Sequence, residues 1–323
     1  MTNDKNAVTI GAPYIYAKAD SSVIMRDVII ALLPCIGVGI YLYGWDVLLN
    51  AVICAVASVI FETVFEKMLG KPVTASDLSA VVTGLIVSLN LPVTAPAWLS
   101  VIGCFIAIVI VKQLFGGIGK NFVNPALVGI VVLRLGFPAY MTQWVVNSKM
   151  TPAIVNAAGT GSTGPTVLQL FRMNGELPTD LEMFVGFKNG PVSQVCAIAV
   201  LAGFAYLMVR RVISPMLSAG FFATVAVVAL LWNYGAVFQL CAGGTLFYGV
   251  FMANDYTTSP VTDLGKIIDG IIFGLFTMFF RAYSSFEDGI AFALLFTNLI
   301  SPYVDALTRP RPFGYVKGGG ADD

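Results

Sequence analysis

Short polar stretches divide the sequence into ten apolar runs, and a soluble domain of this size could not bury so much apolar surface. Hydrophobic residues make up 57% of the 323 residues and charged residues only 11%, with a mean hydropathy of +0.84. The runs lie at 28–43, 47–69, 78–91, 98–114, 125–135, 192–209, 212–232, 238–253, 267–280 and 289–304. This pattern predicts an all-α polytopic membrane protein with about ten transmembrane helices.

The third, fifth and ninth runs are shorter than the roughly 20 residues that a helix needs to cross a bilayer. Short spans, and spans interrupted by glycine or proline, often line a cofactor or ion site in membrane proteins. We therefore expect some of the helices to be short or broken. The predicted segments are an N-terminal segment 1–27, a first five-helix half 28–135, a long loop 136–191, a second five-helix half 192–304 and a C-terminal tail 305–323.

The distribution of positive charge predicts the orientation in the membrane. With ten spans both termini lie on one side, and that side collects thirteen of the eighteen Lys and Arg residues. The remaining five are Arg134, Lys149, Arg172, Lys188 and Arg281. The positive-inside rule then places both termini in the cytoplasm and the 136–191 loop outside. The net charge of zero argues against a nucleic-acid partner.

The residue types that usually hold metals are absent or dispersed. There is no histidine, which excludes His-ligated haem and most zinc or copper chemistry by this chain alone. The five cysteines lie singly in apolar runs, without C-x-x-C spacing: Cys35, Cys54, Cys104, Cys196 and Cys241. We therefore predict no metal site, and any electrons that this protein carries would need an organic cofactor.

Residues 157–169, AAGTGSTGPTVLQ, form a small, glycine-rich and hydroxyl-rich stretch within the long loop. Such a composition disfavours a packed helix, so we expect its hydroxyl groups to be accessible rather than buried. Thr166 follows Gly164 and Pro165, which hold the backbone open for another protein. By itself, however, this pattern favours a flexible linker.

Three stretches together resemble one family. Residues 114–126, LFGGIGKNFVNPA, are similar to the F-G-G-x-G-x-N-x-x-N-P-A signature of the RnfD/NqrB proteins. Residues 252–260, MANDYTTSP, are similar to that family's M-A-T-D-x-x-T-S-P motif, and residues 163–166, TGPT, to its S/T-G-A-T flavin-attachment motif. The resemblance covers most of the chain. The length of the chain is closer to that of RnfD, the D subunit of Rnf complexes, than to that of NqrB.

The resemblance implies a function and a cofactor. Rnf complexes couple ferredoxin oxidation and NAD reduction to the export of Na⁺ or H⁺ across the cytoplasmic membrane of bacteria or archaea. Members of the family carry FMN joined to a threonine by a phosphoester, which a flavin transferase installs outside the cytoplasm. Their helices form two five-helix halves of inverted topology. The implied partners are therefore the other Rnf subunits, with flavin and iron–sulfur groups, and the transferase.

Thr166 occupies the position of the modified threonine in this motif, so the resemblance makes it the expected FMN phosphoryl threonine. The chain departs from the motif in having Pro165 where alanine is usual, and Thr163 or Thr160 remain alternative acceptors. The phosphodiester would carry one negative charge, which the nearby Arg172 or free loop amides could balance.

The glycine-rich motif is a second candidate for contact with a flavin. Gly116 and Gly117 leave backbone amides exposed, while Asn121 and Asn124 offer side-chain amides that pair with a ring edge. The resemblance leaves room here for a second, non-covalent flavin such as riboflavin. A tight turn with Asn124 capping a helix that starts at Pro125 explains the same residues equally well.

Acidic residues inside the apolar runs mark possible ion routes, because ionisable groups at membrane depth are costly. Glu62 and Asp269 are the candidates for a Na⁺ or H⁺ path, whereas we expect Asp77 and Asp263 to cap helices. These two aspartates also belong to an internal repeat at an offset of 186 residues, in which Gly84 corresponds to Gly270.

Two other functions remain open at this stage. A solute transporter or channel with broken helices would use the outer loop only as a lid. A purely structural membrane anchor for partner subunits would need no cofactor at all. Flavin absorbance in the denatured, washed polypeptide distinguishes a flavin-carrying subunit from both of them.

Overall fold

A computed structural model describes residues 21–309 with the exception of Ile118, Thr160 and Glu287. The described part of the chain is helical throughout and contains no β-strand, only one isolated bridge between Val145 and Thr163. The fold is that of an all-α polytopic membrane protein, as the apolar runs predict. Most of the N-terminal segment 1–27 and of the tail 305–323 lies outside the described residues, and so does the alternative acceptor Thr160.

The first half of the chain forms five helices at the predicted places. They are α1 (Ser21–Tyr43), α2 (Asp46–Met68), α3 (Ser79–Leu89), α4 (Ala97–Phe105, continued by a π-helical stretch Ile106–Gln113) and α5 (Pro125–Gly136). The third and fifth helices have only 11 and 12 residues, as expected for short spans. Asn124 caps α5, since its side-chain oxygen accepts a hydrogen bond from the amide of Leu127 at 3.2 Å.

The long connection is folded rather than open. It contains four short helices, α6 (Pro138–Met141), α7 (Pro152–Ala158), α8 (Val167–Arg172) and α9 (Asp180–Val185). A hydrophobic cluster that includes Ile154, Leu170 and Met183 holds the last three of these helices against Phe238 and Cys241 in the second half of the chain. Between α7 and α8 the described residues are not helical and Gly161, Ser162 and Thr163 are exposed, as expected for the glycine-rich stretch, whereas residues 166–168 near the end of that stretch are buried.

The second half also follows the predicted runs, with the sixth run interrupted at Cys196 and the eighth broken more widely. Its helices are α10 (Val192–Val195), α11 (Ala197–Val209), α12 (Pro215–Leu231), α13 (Ala236–Cys241), α14 (Thr245–Phe247, continued by a π-helical stretch Tyr248–Met252), α15 (Asp263–Tyr283) and α16 (Ile290–Thr308). The eighth run is interrupted at 242–244, between α13 and α14. The ninth run is not short, since α15 has 21 residues and extends beyond the apolar stretch at both ends.

The surface of α2 shows that the bilayer is its solvent. Its polar residues Ser58, Glu62 and Glu66 are buried inside the protein. Apolar residues at intervals of three or four positions are half or more exposed instead: Leu49, Val52, Val56, Ile60 and Val64. An apolar outer face is stable in hydrocarbon but not in water. In the described residues three helices (α1, α2 and α16) are long and apolar enough to cross a membrane alone, and five apolar helices are shorter.

The helix bundle has two ends that differ in their loops. The 137–191 connection covers one end, where Asn147 donates a hydrogen bond to the carbonyl of Leu42, and we call this the loop end. The glycine-rich motif and the 253–262 segment lie together at the other end, where the side chain of Asn124 donates to the carbonyl of Met252 at 3.4 Å; we call it the motif end. The proposed flavin sites therefore lie at opposite ends of the bundle.

Candidate functional site

Thr166 begins helix α8 as its N-cap. The Thr166 hydroxyl oxygen accepts a hydrogen bond from the amide of Gln169 at 3.3 Å, and the Thr166 amide donates to Oε1 of Gln169 at 2.9 Å. This reciprocal pair is a capping box. Only 8% of Thr166 is exposed, so the expectation of an accessible hydroxyl at this position is wrong. A transferase would reach the hydroxyl only before this loop packs or after it moves aside.

The chain just before Thr166 is held in place by two sets of hydrogen bonds. The side-chain amide of Asn189 donates to the carbonyls of Gly164 at 2.8 Å and Pro165 at 3.1 Å. The amide of Gly164 donates to the carbonyl of Trp144 at 3.1 Å. Thr163 stays exposed in the same loop. The neighbouring hydroxyls of Thr163 and Thr166 thus differ in accessibility and in hydrogen bonding.

Thr166 faces a small enclosed cavity that contains two cationic side chains. We call it the Thr166 cavity, and the polar residues around it are Arg134, Thr166, Lys188, Asn189, Gln194 and Asp288. Lys188 is buried, with its ammonium donating to the carbonyls of Met183 at 3.1 Å and Cys241 at 2.6 Å. Burial lowers the pKa of Lys188 to about 8. Arg172 instead lines two other cavities and donates to the carbonyl of Arg281.

A buried ion pair holds the broken span next to this cavity. The guanidinium of Arg281 donates to the carbonyls of Gln239 at 2.7 Å and Ala242 at 2.8 Å, where α13 ends. Asp288 accepts a hydrogen bond from the amide of Gly244 at 2.6 Å, where α14 begins, and lies 3.2 Å from Nε of Arg281. A cation at a helix C-terminus and an anion at a helix N-terminus both complement the helix dipole. The pair therefore satisfies backbone groups that the break leaves unpaired.

At the motif end, the predicted asparagines line a cavity of about 100 Å³. Its polar residues include Ser79, Lys112, Asn121, Asn124, Asn254 and Asp255. Asn121 Oδ1 is buried without a hydrogen-bond partner among the described residues, which leaves an acceptor for a ligand. Gly116 and Gly117 have φ values of +111° and +96°, which glycine adopts without strain, but they do not line the cavity.

The two predicted ion-path residues lie on different helix pairs. Glu62 on α2 is fully buried and forms an ion pair with Lys112 on α4, with Nζ 2.5 Å from Oε1. Lys112 also donates to the hydroxyl of Ser79 at 2.5 Å, so this pair borders the motif-end cavity. Asp269 on α15 is 3% exposed, and its Oδ1 has no hydrogen-bond partner among the described residues. The structure therefore does not bring Glu62 and Asp269 into one polar cluster.

The two aspartates expected to cap helices behave differently. Asp77 accepts hydrogen bonds from the amide and hydroxyl of Ser79 at 2.8 and 2.5 Å, at the start of α3, as predicted. Asp263 does not cap α15, because Thr262 does so by accepting from the amide of Gly265 at 3.0 Å. Asp263 points outward and lies 3.9 Å from Lys266 instead.

The five cysteines are all buried and none forms a disulfide. The fold brings two of them together, since Cys104 Sγ lies 3.5 Å from the carbonyl oxygen of Cys54. Among the described residues no three His, Cys, Asp or Glu side chains are grouped in a way that could hold a metal ion.

Comparison with known proteins identifies close relatives over the whole chain. The sequence matches the model of the NQR2, RnfD, RnfE family over residues 8–314. It is 37% identical over 317 residues to the D subunit of the Na(+)-translocating ferredoxin:NAD(+) oxidoreductase complex of Acetobacterium woodii, covering 98% of both chains. It is 32% identical over 326 residues to the D subunit of the proton-translocating ferredoxin:NAD(+) oxidoreductase complex of Clostridium ljungdahlii, covering 96% of this chain and 97% of that protein.

A third relative, the D subunit of the ion-translocating oxidoreductase complex of Alcanivorax borkumensis, is 31% identical over 331 residues, covering 95% of this chain and 97% of that protein. The fold and its two polar cavities define a polytopic α-helical membrane protein with a candidate site at each end of the bundle. The chain belongs to the NQR2, RnfD, RnfE family.

Proposed function

We propose that this chain is the D-type membrane subunit of an Rnf complex, an ion-translocating ferredoxin:NAD⁺ oxidoreductase. Two relatives of nearly equal length are named as D subunits of ion-translocating ferredoxin:NAD(+) oxidoreductase complexes, and a third as the D subunit of an ion-translocating oxidoreductase complex. In this role it passes electrons between partner subunits, coupled to export of Na⁺ or H⁺, and catalyses no complete reaction alone. Its termini are cytoplasmic and its 136–191 loop external, which the distribution of Lys and Arg supports.

We further propose that FMN is attached to Thr166 through a phosphoester formed by an external flavin transferase. The observation that carries this proposal is the position of the Thr166 hydroxyl at the edge of a cavity that also contains Arg134 and Lys188. Two cations suit the single negative charge of a phosphodiester. The cavity itself is too small for a flavin ring, so the ring would extend out of it, and the bound flavin would supply reversible electron transfer.

We also propose that a second, non-covalent flavin such as riboflavin binds at the motif-end cavity, which at about 100 Å³ would hold only the polar edge of the ring. Asn121 offers an unpaired buried acceptor there, and Asn254 and Asp255 supply further polar groups. Burial raises the pKa of the Asp255 carboxyl, while the amide of Thr257 donates to it at 3.2 Å. Groups of this kind bind the polar edge of a ring within a largely apolar cavity.

Substitutions at Thr166 can separate the hydroxyl's chemistry from its capping role. Thr166→Asn keeps a good N-cap but removes the hydroxyl nucleophile, whereas Thr166→Ser keeps both. We expect denaturation-resistant flavin to be lost in Thr166→Asn and retained in part in Thr166→Ser. Thr166→Val removes the cap as well and should cost about 1 kcal/mol of stability in addition.

Mass spectrometry of the peptide that contains Thr166, together with flavin fluorescence of the denatured polypeptide, measures the outcome. Thr163→Val is the matched control and should keep its flavin. If Thr166→Asn keeps covalent flavin and Thr163→Val loses it, the exposed Thr163 is the acceptor and the assignment is wrong. Absence of covalent flavin from the native chain co-expressed with its transferase would contradict the cofactor proposal altogether.

A further inference from the structure

The Thr166 cavity contains buried polar atoms that have nothing to bind within the described residues. Gln194 is 8% exposed and its Nε2 donor has no hydrogen-bond partner, while Asn189 is 3% exposed and its Oδ1 acceptor has none. Leaving such a group unpaired in the protein interior is unfavourable, because it has lost its hydrogen bonds to water. Both residues line the Thr166 cavity, so a ligand placed there would satisfy the two atoms.

The charges around the cavity show what kind of ligand it suits. Neither Arg134 nor Lys188 has a carboxylate within 4.0 Å among the described residues. The carboxylate of Asp288 is already neutralised by Arg281. The cavity is therefore cationic, and its unpaired donor on Gln194 points to a ligand that accepts hydrogen bonds. An anion has both properties.

Lys188 is positioned to bind such an anion directly. Two of its three N–H groups donate to the carbonyls of Met183 and Cys241, which fixes the ammonium in place and leaves its third donor for a ligand. Within the described residues Arg134 donates only from Nη1, to the backbone carbonyl of Asp288 at 3.5 Å. A guanidinium has five N–H donors, so the others remain available to an oxyanion.

We propose that Arg134, Lys188 and Gln194 form a phosphate-binding seat beside Thr166. The seat binds inorganic phosphate in the unmodified chain and holds the phosphodiester once a flavin nucleotide is attached. The second role rests on the proposed function, whereas the first does not. Asn189 contributes by fixing Gly164 and Pro165 next to the seat, and its free Oδ1 suits a hydroxyl donor such as those of the sugar-alcohol chain of a flavin nucleotide.

The test uses the full-length Thr166→Asn protein, purified and unmodified, with inorganic phosphate as the probe. Phosphate should raise its unfolding temperature in a saturable way at constant ionic strength, and direct titration should yield a dissociation constant. In that background Lys188→Met and Arg134→Gln should each weaken phosphate binding at least tenfold. Arg172→Gln removes a cation at the same end of the bundle but outside the cavity, and it should leave binding unchanged.

Gln194→Glu provides a second, nearly isosteric variant. Its carboxylate would pair with Lys188 and Arg134 inside the cavity and should abolish phosphate binding while the protein still folds. The proposal would be wrong if Gln194→Glu kept its affinity for phosphate. It would also be wrong if Arg172→Gln weakened phosphate binding as much as Lys188→Met and Arg134→Gln do. The lack of any saturable binding to the Thr166→Asn protein would overturn it as well.

The two proposals fail in different experiments. The phosphate seat is tested by the affinity for phosphate of protein that carries no flavin. Covalent attachment is tested by the flavin that remains on the chain after denaturation. In the flavinylated protein the ³¹P resonance of the phosphodiester should shift in Lys188→Met, even where flavin content is unchanged. An unshifted resonance would show that the phosphodiester lies outside the seat, whatever the fate of free phosphate.

Discussion

At the scale of single residues, Lys188 is a buried cation, and burial makes its charged form less favourable than in water. Its pKa falls from 10.5 to about 8, and the cause is burial. The groups around it are the Cys241 and Cys196 thiols, together with Arg134 and Asp288 across the cavity. A phosphate anion in the cavity would favour the ammonium form and raise this pKa again.

This shift predicts how stability depends on pH. Because the pKa of Lys188 is lower in the folded than in the unfolded chain, the unfolded chain binds more protons between pH 8 and pH 10.5. Lys188 should therefore contribute a rise in the free energy of unfolding with pH in this window, of at most about 1.4 kcal/mol per pH unit. Thermal unfolding of the Thr166→Asn protein over these pH values, compared with the same protein carrying Lys188→Met, isolates this contribution.

Two control variants identify the titrating group. Lys188→Met should remove this contribution, and Cys241→Ser, which changes the neighbouring thiol, should preserve it. An equal slope in the Lys188→Met protein would mean that another group is responsible. Saturating phosphate should also flatten the curve, because an adjacent anion stabilises the charged lysine.

The residues of the Thr166 cavity show what could be predicted locally and what could not. The T-x-x-Q spacing of Thr166 and Gln169 is a capping signal that predicts a helix start with a partly buried hydroxyl. The glycines before it suggested an open linker instead. Arg134, Lys188 and Gln194 gave no local signal, because they lie far apart in the chain and meet only in the folded protein.

At the scale of helices, two glycines 186 residues apart have the same packing role. A Cβ atom on Gly84 would lie 2.6 Å from the carbonyl oxygen of Cys54 on α2, and one on Gly270 would lie 2.4 Å from that of Leu217 on α12. The two glycines related by the 186-residue offset thus both pack a helix against a neighbouring backbone. The inverted topology of the two five-helix halves, which the family resemblance implies, stays a prediction.

These contacts predict the effect of adding one methyl group. Gly84→Ala and Gly270→Ala should each lower stability by about 1–3 kcal/mol, because the helices must separate to admit the new Cβ. Gly37→Ala on α1 is the matched control, since no atom lies within 4 Å of its ideal Cβ position. Thermal unfolding in detergent compares the three, and equal stability of all of them would contradict the packing.

The hydropathy pattern predicted helix positions well because the bilayer imposes the same length and apolarity on every span. It failed where backbone groups are satisfied by distant side chains. The break at 242–244 contains Gly243 and Gly244, which are a local turn signal, but the side chains of Arg281 and Asp288 that satisfy its backbone groups come from elsewhere in the chain. The ninth run appeared short because α15 begins with polar residues that hydropathy does not count as part of a span.

At the scale of the whole molecule, the five native cysteines are buried, which makes the orientation directly testable. Glu176→Cys lies in an exposed part of the loop end, and Lys71→Cys lies at the opposite end. With any outer barrier opened, an impermeant thiol reagent added to whole cells should label Glu176→Cys. Lys71→Cys should react only after lysis.

The unsubstituted chain is the control for that experiment and should react little in either condition. Labelling of Lys71→Cys in whole cells, with Glu176→Cys protected, would reverse the orientation inferred from the thirteen-to-five distribution of Lys and Arg. The phosphate seat would then face the cytoplasm, which an external transferase could not reach.

The short third helix has an electrical consequence. Ten of the 11 residues of α3 are buried at the centre of the protein, and a helix of that length is only about 16 Å long. The hydrocarbon layer around it is about 30 Å thick, and the motif-end cavity reaches the first turn of α3 at Ser79. If water fills that cavity and also reaches the other end of α3, the transmembrane voltage drops over roughly half the usual distance. The electric field along α3 is then about twice that in the surrounding lipid, and a charge crossing this thin layer senses the full voltage in a single short step.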